Sequence, residues 1–218
     1  MSKIIDYGFL FQTMFGTSKT NATGSFKLSQ LSNSSVQAQL KAAGIDTSSK
    51  QYKAVIQSMS AACKGIGYTN IQAIKNRMSR YDSDGDYISP VTGMAGLVVT
   101  EKNRAEKEKI ISIPESSRDE MFELTKQEFL RENGVGNGDT TKRSDVYLNL
   151  YRKMDKNDRL AAGNTLRQYE QAYTQAFVNA VKAVDPKWKP GKPIPAGALD
   201  GITRESVENQ RKSVDMKV

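Results

Sequence analysis

Histidine is absent from these 218 residues, and Cys63 is the single cysteine. Each absence excludes a block of chemistry. Histidine is the usual general base near neutral pH and the commonest metal ligand. Triads built on imidazole, zinc hydrolase centres and histidine-activated thiols therefore all fall away. One cysteine allows no intramolecular disulfide, so oxidation does not hold the fold together. Cys63 lies in AVIQSMSAACKGIG, on an expected helix, where a buried and inert thiol is expected. Also missing is any run close to the roughly 20 apolar residues that a bilayer-crossing helix needs. What remains for function is carboxylates, lysines, hydroxyls and backbone.

What is present describes a globular chain with polar stretches: 38% hydrophobic residues and a mean hydropathy of −0.58. The net charge of +8 raises the question of a polyanionic partner. The excess is spread thinly along the chain, however, and residues 101–130 are acidic by two charges. A nucleic-acid binder concentrates its cations into a patch or stripe, so nucleic-acid binding is kept as the weakest of three readings. The start, MSKIIDYGFLFQTMFG, is interrupted by Asp6 and Gln12 and does not read as a cleaved signal. A cytoplasmic location is expected, with export by a route that needs no cleaved signal left open.

Residues 4–15 concentrate Ile4, Ile5, Tyr7, Phe9, Leu10, Phe11, Met14 and Phe15, and a Ser/Thr/Asn-rich stretch follows to about residue 33. An oily segment on a polar tether has to dock somewhere. Its own domain, a second copy of the chain, another protein and a membrane surface are the choices. Phe9, Phe11 and Phe15 are the residues nominated for partner contact, with peripheral membrane contact through residues 4–15 as a further option. The expected organisation is thus residues 1–33, an apolar segment plus linker, and residues 34–218, a helical domain.

From Ser34 the periodicity is helical. Val36, Leu40 and Ala43 mark one face before Gly44, and Tyr52, Val55, Ile56 and Met59 mark a second helix begun at Ser48 or Ser49. Ile71, Ile74 and Met78 mark a third. VTGMAGLVV is small and apolar and reads equally as strand, extended loop or helix entry. Ser117 with Glu120 reads as a capping box opening a helix that ends at Gly134, and Ser144 as the cap of the next. A helix from about Asn157 to Val184 keeps an apolar stripe, ends at Pro186, and is followed by a proline-rich crossing pinned by Trp188. Thr203 caps a final polar helix. The fold expected is mostly α, a compact multi-helix domain around one long helix in the C-terminal half, with at most a small β-hairpin.

The strongest site motif is YDSDGDYISP. Asp82, Asp84 and Asp86 occupy positions 1, 3 and 5 of a calcium loop, where alternate carboxylates can ring a hard cation. Positions 6 and 12 should be glycine and glutamate, but hold Tyr87 and Gly93. The alternative is a polar turn whose aspartates cap backbone amides. GVGNGDTTKR lacks the spacing of a phosphate-cradling loop and follows a helix, so it reads as a turn. KWKPGK interleaves one aromatic with cations, a pattern that serves single-stranded nucleic acid, although a lone tryptophan more often anchors a core.

The runs TNIQAIKNRMSRYDSDGDYISPVTGMAGL, IISIPESSRDEMFELTKQEFLRENGVGNGDTTKRSDVY and DPKWKPGKPIPAGALDGITRE resemble a family of uncharacterised proteins, a domain of unknown function from Gram-positive gut bacteria. The resemblance spans about Gln37 to Val207. It implies a bacterial source and a single recurring module, and brings no functional residues with it.

The sequence therefore favours a non-catalytic α-helical interaction or structural protein over an enzyme, acting on a protein partner or on a second copy of itself. Calcium binding through Asp82, Asp84 and Asp86 is the alternative, and nucleic-acid binding the weaker one.

Overall fold

The computed structural model describes residues 24–64, 66–100, 103–136 and 141–215. Seven α-helices and one two-stranded antiparallel sheet lie among these residues, so the mostly-α expectation holds. Contacts divide the chain into two compact units, with the boundary between Ala95 and Gly96. That boundary falls inside the stretch read from sequence as one helical domain.

In the first unit, β1 (Ser25–Lys27) pairs antiparallel with β2 (Tyr68–Asn70), placing Ser25 opposite Asn70 and Lys27 opposite Tyr68. Between the strands run α1 (Ser34–Ala42) and α2 (Lys50–Ala62), and α3 (Ile71–Met78) follows β2. Phe26, Leu28 and Leu31 are buried in one cluster with Leu40, Val55 and Ile74. The stretch expected to be linker up to residue 33 thus joins the fold from Ser25 onward. Its alternation of inward Phe26 between exposed Ser25 and Lys27 is too short to stand out among serines and asparagines. The sheet also does not involve VTGMAGLVV, which runs as turns and bends. Gly93 at φ +67° and Gly96 at φ +82° break any extended run there.

Local chemistry explains these helix ends. The Ser49 hydroxyl accepts the Tyr52 N–H at 3.1 Å, opening α2, and Asn70 Oδ1 accepts the Ala73 N–H at 2.8 Å, opening α3. α1 stops in a paired C-cap in which the Ile45 N–H reaches the Leu40 carbonyl at 3.0 Å and the Gly44 N–H the Lys41 carbonyl at 2.9 Å.

The second unit holds α4 (Glu115–Arg131), α5 (Thr141–Lys153), α6 (Arg159–Val184) and α7 (Arg204–Asp215). The long helix α6 has 26 residues, about 39 Å at 1.5 Å per residue. Its line of fully buried Leu166, Tyr173, Phe177 and Val181 faces α4 and α5. Along α4, Phe122 meets Tyr173 edge-on at 5.1 Å, and further on Phe129 meets Phe177 at 5.6 Å and Trp188 at 5.9 Å. α4 and α6 therefore run in the same direction. Arg143 at the start of α5 reaches Glu128 and Glu170, and Tyr151 near its end receives Arg159 Nε at 3.1 Å, so α5 runs back. Lys126 Nζ lies 3.4 Å from the Ile202 carbonyl, while Arg118 pairs with Glu208, so α7 also descends along α4. Each buried aromatic contributes about 1.5–3 kcal/mol by leaving water.

Three sequence expectations for this unit are corrected. α4 begins at Glu115 behind an extended Pro114, and Ser117 is its third residue, turned into the core at 1% exposure, so no capping box forms. Ser144 lies inside α5 instead of capping it. At the end of α4 the left-handed turn starts at Asn133 (φ +50°), and the Gly134 N–H closes on the Phe129 carbonyl at 2.8 Å. The Trp188 expectation holds: its ring is 1% exposed and its Nε1–H donates to the Lys192 carbonyl at 2.9 Å.

Gly134 is where that tryptophan and the end of α4 close on each other. Its φ is +73°, and an added Cβ would lie 2.7 Å from the Trp188 ring. Gly134→Ala is expected to cost about 2–4 kcal/mol, combining left-handed strain with overpacking. Gly136→Ala, at φ +59° with open space around it, should cost only the strain, about 1 kcal/mol. Urea unfolding of the two variants measures the difference.

Candidate functional site

Asp82, Asp84 and Asp86 lie on the turn after α3. The turn is closed by a bridge between Tyr81 and Tyr87, whose rings meet edge-on at 5.5 Å. Asp82 Oδ1 accepts the Asp84 N–H at 3.0 Å and the Asp86 N–H at 2.8 Å. The backbone adds Asp82 N–H to the Asp86 carbonyl at 3.0 Å and Gly85 N–H to the Asp82 carbonyl at 3.0 Å. Asp84 points outward, with Lys50 Nζ 3.7 Å away at the surface. Gly85 packs on α2, where a Cβ would lie 2.9 Å from the Lys50 carbonyl. The first aspartate therefore serves backbone amides. Among the described residues, no group of three or more Asp, Glu, Cys or His side chains is placed to hold a metal ion. Phe9, Phe11 and Phe15 lie outside the described residues.

The ionisable chemistry missed from sequence is buried in the second unit, in two networks flanking α6. In the first, Glu128 is 1% exposed and accepts Arg143 Nε. Arg143 Nη1 also reaches Glu170 Oε1 at 2.6 Å, and the Tyr147 hydroxyl donates to Glu170 Oε2 at 2.8 Å. In the second, Glu208 accepts Arg118 Nη1, Arg204 Nη1 at 3.1 Å and the Tyr173 hydroxyl at 2.6 Å. The same Arg204 Nη2 reaches Glu115 and, at 2.8 Å, Glu205. Arg204 Nε sits 2.5 Å from Asp119 Oδ1, an ion-pair distance at which its N–H is not aligned as a hydrogen bond.

The electrostatics follow from this packing. Burial works against the charge of Arg204, but Glu115, Glu208, Asp119 and Glu205 outweigh it and hold the guanidinium pKa above its usual value. Arg143 behaves alike, with Glu170 and Glu128 overcoming desolvation. Burial, reinforced by Glu208, pushes the Tyr173 phenol upward, and burial with Glu170 does the same to Tyr147. Glu208 takes donors from its own helix and two others, Glu128 and Glu170 take theirs from α5, and Arg204 Nε alone lacks an aligned acceptor among the donors named. Breaking one buried pair typically costs about 3–5 kcal/mol because it leaves a charge without compensation. One sequence signal was available: Glu128 falls on the apolar stripe of Met121, Phe122, Thr125 and Phe129, where a lone carboxylate needs a partner. Arg204 and Glu208 carried a weaker one, an i,i+4 pair on a helix read as simply polar.

Shallow grooves line α4 among the described residues. One, of about 400 Å³, lies between α4 and α5 and includes Glu123, Leu124, Lys142 and Asp145. Another, of about 330 Å³, lies between α4 and residues 200–205 and is rimmed by Asp119, Glu123, Lys126, Asp200 and Glu205. No described helix is long and apolar enough to cross a membrane.

Two expected outcomes follow from these contacts. Asp82→Ala should destabilise the first unit by about 1–2 kcal/mol with no metal present, through two lost amide hydrogen bonds. Thermal melting in a chelator, with and without added calcium, measures it. The second concerns alkali. A phenol whose folded pKa lies above its ordinary 10.0 contributes stability that is full below pH 10 and drains away as the pH rises beyond it. Unfolding free energy should therefore fall above pH 10, and Tyr147→Phe with Tyr173→Phe should flatten that fall. Denaturant titrations between pH 8 and 12 test the slope.

No curated protein and no solved structure matches the chain. One family does, described as a domain of unknown function (DUF3879), over residues 45–218. The match begins after α1 and takes in both units, while Phe26, Leu28, Leu31, Val36 and Leu40 complete the first core from outside it. Over most of its length, then, the chain belongs to the family described as a domain of unknown function, DUF3879.

Proposed function

We propose that this is a non-catalytic α-helical interaction protein whose contact surface is the outer face of the two-stranded sheet, joined by Phe9, Phe11 and Phe15 of the N-terminal segment. The observation that carries the reading is the exposure of Tyr68 (70%) in β2 and of Ile66 (83%) two residues before it. Tyr68 lies on the side of the sheet opposite buried Phe26 and Thr69, with Lys27 in register beside it. Large apolar side chains this exposed and this close together mark a surface that is covered in use. In chain order the oily segment comes before β1. A second copy of the chain is the occupant proposed, because the segment and the face then cover each other reciprocally across a twofold axis. The inward commitment of the ionisable groups of the second unit to one another agrees with a role in contact.

Calcium binding at Asp82, Asp84 and Asp86 is the competing proposal, supported by their spacing and by the closed turn that carries them. The Asp82→Ala melting experiment separates it, since a calcium site would add a stabilisation of the unchanged chain by calcium that Asp82→Ala loses, on top of the loss seen in chelator.

Light scattering coupled to size exclusion tests the main reading. The full chain is expected to run as a dimer, with Ile66→Ser plus Tyr68→Ser, and separately deletion of residues 1–20, each shifting it to monomer at unchanged helix content. A full chain that is monomeric at high concentration sinks the proposal.

A further inference from the structure

The end of the second unit where α4 and α6 both finish carries a surface distinct from the sheet face. Two loops close over it. The Gly191 N–H donates to the Asn133 carbonyl at 2.8 Å, and Val135 Cγ2 lies 3.6 Å from where a Gly191 Cβ would sit. Beneath them, Trp188 is turned inward against Phe129 and Gly134, so its ring is not available to stack on a base. Three aliphatic side chains surface instead: Leu130 at 45%, Val135 at 53% and Val184 at 59% exposure. Close to them in the chain lie Lys187, Lys189 and Lys192, all exposed. Among the described residues none of these three forms an ion pair, and the two acids of this end have partners. Glu132 Oε1 pairs with Arg131 at 2.9 Å, and Asp185 Oδ1 accepts the Lys187 N–H at 2.9 Å.

We infer that this end of the second unit docks on an anionic lipid surface. Lysines on a rim meet phosphate and carboxylate headgroups, and aliphatic side chains between them enter the headgroup–acyl boundary. Charge complementarity is what selects this occupant. A strand of nucleic acid would use the same lysines, but it gains from exposed aromatic faces, and the one tryptophan here is spent on the core. The inference stands apart from the sheet-face reading, since it uses none of that surface.

Co-sedimentation of the full chain with vesicles tests it, comparing pure phosphatidylcholine with a mixture containing 30% phosphatidylserine. Binding is expected to the anionic vesicles alone and to weaken as salt rises. Each lysine near the surface is worth roughly fivefold in affinity, so Lys187→Glu with Lys189→Glu should weaken binding at least about 25-fold. Lys41→Glu with Lys75→Glu, an equal charge change on the first unit, should leave it within about twofold. Val135→Ser with Val184→Ser should weaken binding severalfold while keeping the salt dependence. Phe9→Ser, Phe11→Ser and Phe15→Ser together should leave vesicle binding in place, even where they abolish dimerisation, which separates this inference from the preceding one. Circular dichroism confirms that each variant is folded.

Absence of vesicle binding at low salt overturns the inference, as does binding that ignores Lys187 and Lys189 or that disappears with the three phenylalanines. A single-stranded oligonucleotide that displaces the vesicles and is held undiminished by the Val135, Val184 variant reassigns the surface to nucleic acid and equally overturns it.

Discussion

A carboxylate that loses its water must be given a cation or a set of donors, and two such carboxylates organise the second unit. Glu128 and Glu208 are nearly without solvent on either side of α6. Leaving either uncompensated would cost several kcal/mol, a large share of what a domain of this size has in total. The requirement is met from different helices. Glu128 on α4 takes Arg143 from α5, and Arg143 in turn binds Glu170 of α6. Glu208 on α7 takes Arg118 from α4 and the Tyr173 hydroxyl from α6. Apolar burial is non-directional, whereas a carboxylate bonded to donors on two other helices constrains where those helices stand along one another. The networks therefore contribute register, while Phe122, Phe129, Tyr173 and Phe177 contribute most of the driving force.

The same reasoning explains what could be read in advance. Periodic apolar stripes are local, and α6 was visible from Leu166, Tyr169, Tyr173, Phe177 and Val181 at helical spacing. So was the anchoring of Trp188, because a lone tryptophan among prolines has little else to do. Caps were legible where a single side chain decides them, as at Ser49, and illegible where the burial of a neighbour decides. Ser117 had the right spacing for a cap and was drawn into the core instead, since Pro114 starts the helix earlier. The place of the sheet was hidden because its strands have three residues each and are separated by more than a whole helix pair, so no local window contains both. The boundary after Ala95 was hidden for a related reason: it runs through VTGMAGLVV, whose apolar residues suggest continuity while its glycines turn the chain.

For the candidate sites the sequence was informative about position and silent about direction. Spacing brought Asp82, Asp84 and Asp86 into one turn, and that turn exists, but spacing does not say whether Oδ1 of Asp82 faces a cation or an amide. Backbone geometry adds what spacing lacks: the Asp84 and Asp86 N–H groups converge on that one oxygen. KWKPGK shows the complementary case. The aromatic that made the motif suggestive is the residue that points inward, and its burial is what pushes the flanking lysines outward together.

That coupling links core to surface in a way that bears on function. Trp188 can seat under the end of α4 only because Gly134 offers no side chain, and the Gly191–Asn133 hydrogen bond then draws the two loops together. With the ring fixed, Lys187 and Lys189 on either side of it are held at defined positions on the outside, instead of on a loose tail. A set of cations whose spacing is fixed by a buried ring meets a flat anionic surface with less ordering cost than the same lysines on a disordered segment, which is the advantage of preorganisation. The chain lacks imidazole and keeps its strongest charges locked within the unit. At this end it presents exposed lysines and aliphatic side chains in a geometry fixed by the buried ring.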